Sequence, residues 1–146
     1  MRRVEGCLGF GYGEQARAFV YVDDVIAGNL HVFDKPVTGI YNCGTGRAQP
    51  FNDVSLGVVN ALRTHEGKEK VTLEQAVKEG FIRYIPFPES LKGKYQAYTQ
   101  ADLTKLRAAG CDVRFRSVEE GTADYVADLL TRYQDVSSDP TIAEAK

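Results

Sequence analysis

The sequence contains no tryptophan, one methionine and only two histidines, His31 and His65. There is no CxxC pair beside them, so the usual donor set of a zinc site is missing and no metal is expected. The three cysteines, Cys7, Cys43 and Cys111, are an odd number at wide spacing. That argues for reduced thiols over a disulfide framework. No apolar run approaches the length needed to cross a bilayer, which removes a membrane partner. Met1-Arg2-Arg3 is basic, but no apolar segment of signal-peptide length follows, and a cytoplasmic location is expected. An excess of one charge is missing too. Lys and Arg number 18 against 20 Asp and Glu, for a net charge of -2, so no bulk field draws nucleic acid.

What is present is an ordinary globular composition, 43% hydrophobic and 26% charged over 146 residues. That is one domain's length, enough to bury a core. Residues 39–51 organise the chain: a short strand, a glycine turn, then the start of a helix. Ile40, Tyr41 and Cys43 suit a half-buried strand, with Cys43 a small core residue. Gly44 and Gly46 give the turn its freedom, and Pro50 and Asp53 suit the first helical turn. Gly44-x-Gly46-x-x-Gln49 falls short of the dinucleotide fingerprint, because the third glycine and the later acidic residue are absent.

Residues 2–16 are glycine-rich and aperiodic, and read as loop. Residues 19–22 read as a strand. Asp23 or Asp24 is expected to cap a helix with Ile26, Leu30 and Phe33 at helical spacing. A second helix is expected over 51–64, with Phe51, Val54, Val58 and Leu62 on one face. Thr72 and Gln75 form a capping box for a short helix stopping at Gly80. Residues 81–87 read as a strand broken by Pro86. Thr99 and Asp102 open another helix ending at Gly110. Ser117 and Glu120 form a further capping box, opening a helix with Val118, Thr122, Tyr125, Val126, Leu129 and Tyr133 on one face. Past Gln134 the composition predicts a flexible tail over 134–146. The alternation of strand and helix predicts α/β architecture. About three strands are fewer than a usual sheet, so the chain reads as the C-terminal part of a larger enzyme.

Arg17-Ala18-Phe19-Val20-Tyr21-Val22-Asp23-Asp24-Val25 resembles the Arg-Asp-Phe-Val-Tyr-Val-x-Asp-Val segment of the extended short-chain dehydrogenase/reductase sugar-nucleotide epimerases. Tyr41-Asn42-Cys43-Gly44-Thr45-Gly46 is similar to their Asn-x-Gly-x-Gly strand. Residues 84–88 followed by 91–103, and residues 106–112, resemble the ADP-L-glycero-D-manno-heptose 6-epimerases within that group. The resemblance implies a Rossmann-type α/β fold with a small substrate-binding α/β domain. On that basis residues 1–133 are the substrate-binding part. It also implies an NADP-dependent isomerase that inverts C6 of the heptose in ADP-D-glycero-D-manno-heptose, a lipopolysaccharide precursor. Bound NADP takes a hydride and returns it to the other face.

The sequence departs from that pattern in two places. The GxGxxG turn is absent, and none of the eight tyrosines has a lysine four positions on, so the Tyr-x-x-x-Lys pair is absent too. No catalytic residue is therefore assigned. NADP belongs to the full-length family and is not expected to bind this chain alone. Ala18 stands where the family has Asp, which puts the hydrogen bonding of Arg17 in question.

The resemblance implies five substrate-binding residues: Glu5, Gly6, Cys7, Arg17 and Tyr95. Arg17 aligns with the arginine on the nucleotide diphosphate, and a guanidinium fork suits phosphate oxygens. A solvated loop arginine fits the same letters. Tyr95 aligns with a substrate-contacting tyrosine; a core tyrosine is the alternative. Glu5-Gly6-Cys7 falls where the family has a contact loop. Lys92 and Lys94 could add phosphate attraction, or be solvated. The expected partners are ADP-heptose or a related nucleotide sugar, and a second copy or a separate N-terminal half. The alternative function is a stand-alone nucleotide-sugar binding or interaction module without catalysis.

Overall fold

The computed structural model describes residues 13–35 and 37–137, with 133–137 described by backbone alone. In order the elements are β1 (Ala16–Arg17), α1 (Val22–Asp34), β2 (Gln49–Pro50), α2 (Phe51–His65), α3 (Leu73–Lys78), a 3-10 turn (Glu89–Leu91), α4 (Thr104–Ala108) and α5 (Val118–Ser137). The expected contact loop Glu5, Gly6 and Cys7 lies outside the described residues, as does 138–146 of the expected tail.

The principal packing is α2 against α5. Val59 of α2 is fully buried and forms a cluster with Ala76 of α3 and Ile82. Leu56, Val71, Leu73, Phe81 and Tyr84 close around it. Val118 and Val126 are the buried side chains of α5. At their contact Gly57 of α2 faces Thr122 of α5. A Cβ at position 57 would lie 2.4 Å from the Thr122 hydroxyl oxygen and 3.4 Å from its methyl carbon. The Thr122 Cβ itself would lie 3.3 Å away, so turning the side chain does not remove the crowding entirely.

The local stop and start signals act as the sequence predicts. Thr72 and Gln75 make both bonds of a capping box on α3, and Gly80 follows it at φ +76°. Ser117 and Glu120 do the same on α5: the Glu120 N–H donates to Ser117 Oγ at 3.2 Å and the Ser117 N–H to Glu120 Oε2 at 2.9 Å. α5 continues to Ser137, past Gln134.

The strands differ from expectation. Residues 19–21 and 40–43 are outside any ladder, and 81–87 holds only an isolated bridge residue, Ile85. A strand exists only where another strand takes its backbone bonds. Among the described residues the one ladder is antiparallel, Ala16 opposite Pro50 and Arg17 opposite Gln49, with an isolated parallel bridge from Ala16 to Tyr98. The described chain is helix-rich with a two-stranded sheet. It forms no parallel Rossmann-type sheet of its own. The expected Thr99–Asp102 capping pair is also different. The Thr99 N–H donates to Ala16 O at 3.1 Å; Leu103 is the N-cap of α4 and makes no side-chain cap bond, while Asp102, one residue before it, accepts from the Thr104 N–H at 2.9 Å.

α1 starts at Val22 with Tyr21 at its N-cap and no side-chain cap. Neither Asp23 nor Asp24 fills the expected capping role. Asp24 is only 6% exposed because its carboxylate is taken by Arg116. Oδ2 accepts from the Arg116 N–H at 2.6 Å and Oδ1 from the guanidinium at 2.8 Å. Gly28, one turn on, faces the Cys43 sulfur and Phe115. The opposite face of α1 is apolar and open: Ile26 is 50%, Leu30 55% and Phe33 85% exposed. The helical spacing is as predicted, but the stripe is left half-exposed or more.

Two outcomes are expected. Gly57→Ala gains about 1 kcal/mol of helix propensity and loses about 1–3 kcal/mol to overpacking, so calorimetry should show a lower Tm; adding Thr122→Ala should restore it. A Gly57→Ala chain as stable as wild type would show that the helices separate without cost. Asp24→Asn should weaken the attachment of α1 by about 1–3 kcal/mol. Amide exchange in α1 should then accelerate about tenfold or more, while α2 and α5 change less. Uniform acceleration across all three helices would mean that Asp24 supports the fold globally.

Candidate functional site

β1 is only two residues long, yet three stretches meet at it. On one side it pairs with β2, and the Phe51 N–H donates to Gln15 O at 3.1 Å, so the strand pair runs into the start of α2. On the other side the Ala16 N–H donates to Ala97 O at 3.0 Å and Ala16 O accepts from Thr99. The loop after the 3-10 turn is thereby fixed along β1. Two residues further, the Phe19 ring meets Phe51 edge-on, with centroids 5.1 Å apart and planes at 85°. These contacts leave Arg17 half-buried with a defined backbone.

The Arg17 side chain is held at three points. Nη1 donates to Ala16 O at 2.9 Å, and Nη2 donates to Gln96 O. The guanidinium carbon lies 4.9 Å from the centre of the Tyr95 ring, a cation–π contact. Phe87 meets Tyr95 at 5.8 Å between centroids, with planes at 75°. Arg17 and Tyr95, named separately from the sequence, are therefore neighbours. The question raised by Ala18 has a structural answer. With no carboxylate at position 18, backbone carbonyls and an aromatic face hold the guanidinium.

Sequence reasoning missed Phe87 and the Gln96 carbonyl. A backbone acceptor leaves no mark in the sequence. Phe87 did carry one, since Pro86 and Pro88 on either side fix the local backbone. Lys92, weighed as a phosphate-attracting residue, pairs with Glu89 on the exposed 3-10 turn, and Lys94 is exposed.

The glycine turn of residues 44–46 has another use. A Cβ on Gly44 would lie 3.1 Å from that of Ala101, and one on Gly46 would lie 3.2 Å from Leu103. Gly46 has φ +71°, and Gln100 Nε2 donates to its carbonyl at 2.8 Å. Asn42 Nδ2 donates to Asp102 O at 3.2 Å. The turn is a seat for residues 100–103 of the same chain. Ala101 and Leu103 pack directly against its two glycines. Cys43, just before it, is half-buried, and its thiol is pushed above the ordinary range by burial, then by Cys111 and Asp24. It is a poor nucleophile at neutral pH. Among the described residues no cluster of His, Cys, Asp and Glu could hold a metal, and no helix is long and apolar enough to cross a membrane.

The arrangement is able to bind an anion. A guanidinium has five N–H donors in a rigid plane, and two here go to carbonyls whose positions β1 and the 92–98 loop fix. The rest of the fork is pre-oriented, which lowers the entropy lost on gripping a phosphate. The sequence model of the NAD dependent epimerase/dehydratase family matches residues 1–44 of the chain. The match takes in Arg17, Asp24 and the expected contact loop, and stops before Tyr95. It supports the epimerase/dehydratase superfamily, the broader of the two resemblances, for the segment that carries Arg17.

Proposed function

We propose that the chain supplies the nucleotide-sugar-binding side of an NADP-dependent epimerase, with Arg17 on the diphosphate and an ADP-heptose as the substrate whose C6 is inverted. One observation carries this reading. Arg17 belongs to the stretch with the superfamily resemblance, and Tyr95 to the stretch that resembles the heptose epimerases; they meet at 4.9 Å. The two resemblances thus converge on one place with the chemistry to grip a diphosphate. Glu5, Gly6 and Cys7 would complete the substrate contacts.

The exposed stripe of α1 favours a second element of the reading, that this chain works against a partner: a polypeptide carrying the GxGxxG turn and the Tyr-x-x-x-Lys pair, or a second copy. Uncovered apolar faces of this kind mark interaction surfaces. The competing function is a binding or interaction module without catalysis.

Titration calorimetry of ADP and adenosine into wild type, Arg17→Ala and Arg17→Lys tests the site. ADP should bind wild type more tightly than adenosine. Arg17→Ala should remove that preference, about 1.5–3 kcal/mol or about ten- to a hundredfold, and Arg17→Lys should restore part of it. Equal ADP affinity in wild type and Arg17→Ala would take Arg17 out of the site. The chain alone should not epimerise ADP-heptose, since general acid–base groups each contribute about 10²–10⁴-fold. Turnover by the pure chain would refute the assignment of chemistry to a partner.

A further inference from the structure

We infer that Tyr95 is a positioning residue for Arg17, with its ring a platform for the guanidinium and Phe87 the wall that holds the ring. The inference rests on the reading of Arg17 as the diphosphate contact, and changes the part that Tyr95 plays in it. Sequence resemblance makes Tyr95 a residue that touches the sugar nucleotide directly. In the structure one face of its ring is covered by the Arg17 guanidinium at 4.9 Å. Phe87 packs against the same ring at a near-perpendicular 75°. Phe87 and Arg17 therefore both pack on the Tyr95 ring.

The packing has a physical purpose. An arginine on a two-residue strand has many rotamers, and two carbonyl bonds alone leave the guanidinium plane able to tilt. A ring face adds attraction perpendicular to that plane and removes the tilt. Both carbonyls and the ring come from a connected backbone. Ala16 lies next to Arg17, Gln96 lies next to Tyr95, and the Ala97–Ala16 and Thr99–Ala16 bonds register the two segments. The platform needs an aromatic ring at position 95 and has no use for the phenol hydroxyl. A direct sugar contact would need the hydroxyl.

The test uses the full chain in four forms: wild type, Tyr95→Phe, Tyr95→Leu and Phe87→Leu. The first readout needs no nucleotide. Protons of the Arg17 side chain stacked on a ring are shielded, and NMR reads the shift. The shielding should persist in Tyr95→Phe, vanish in Tyr95→Leu and weaken in Phe87→Leu. The second readout is the preference for ADP over adenosine. It should persist in Tyr95→Phe and fall on the order of 2- to 30-fold in Tyr95→Leu, the range of a cation–π contact. Arg17 resonances in Tyr95→Leu that match wild type would overturn the inference. So would loss of ADP preference in Tyr95→Phe as large as in Tyr95→Leu, which would return the hydroxyl to the ligand. If Tyr95→Leu does not fold, the Phe87→Leu shift decides, and unchanged shielding there overturns the role of the wall. If wild type shows no preference for ADP, the diphosphate reading of Arg17 fails, and the platform stands or falls on the resonances alone.

Discussion

The buried pairing of Asp24 with Arg116 sets the frame of the molecule. The first turn of α1 is held by one carboxylate that receives both a backbone N–H and a guanidinium. Arg116 is itself braced by Asp124 at 3.1 Å and by the Tyr21 ring, 4.6 Å from its guanidinium carbon. A buried carboxylate without such partners would be costly; with them it orients more than it stabilises. The orientation passes along the chain. Arg116 stands just before α5, and α5 packs on α2. The strand that opens α2 is paired with the strand of Arg17. A buried amide, Gln49, repeats the device on a smaller scale. Its oxygen accepts from the Val118 N–H, and its nitrogen donates to Asp53 and Glu119, joining β2, α2 and α5.

Charged and polar pins matter here because apolar burial is modest and uneven. The cluster around Val59 is small, while Ile26, Leu30, Phe33 and Ile40 remain half-exposed or more. Chemistry in such a chain has to be built on hydrogen bonds that fix direction. The Arg17 site follows that pattern, with backbone carbonyls below the guanidinium and an aromatic face against it.

What the sequence made legible was local. The capping boxes at Thr72 and Ser117, the acid in the first turn of α2 and the stop at Gly80 each depend on residues within one turn, and each formed as read. The misreadings share one cause. Residues 19–22 have the composition of a strand, but a strand needs a distant partner, and no local pattern says whether it comes. Asp24 looked like a cap because capping is the local use of an aspartate at a helix start; its real partner lies 92 positions away. The glycine turn packs against Ala101 and Leu103, neighbours that could not be read from it. Arg17 and Tyr95 were found by resemblance to a family, and nothing in periodicity or spacing would have joined them. Phe87 was missed because an aromatic between prolines reads only as a broken strand.

The bond from Arg17 to Gln96 closes a chain separation of 79 residues, and that has a consequence for how the protein assembles. Helices with good caps gather from neighbours, whereas closing a long loop costs entropy that must be met before the contact repays it. A contact of that separation is expected to form after the capped helices and to open before them when the fold is stressed. The packing of Arg17 on the 95–97 segment is thus expected to be lost at milder denaturant or lower temperature than helicity is.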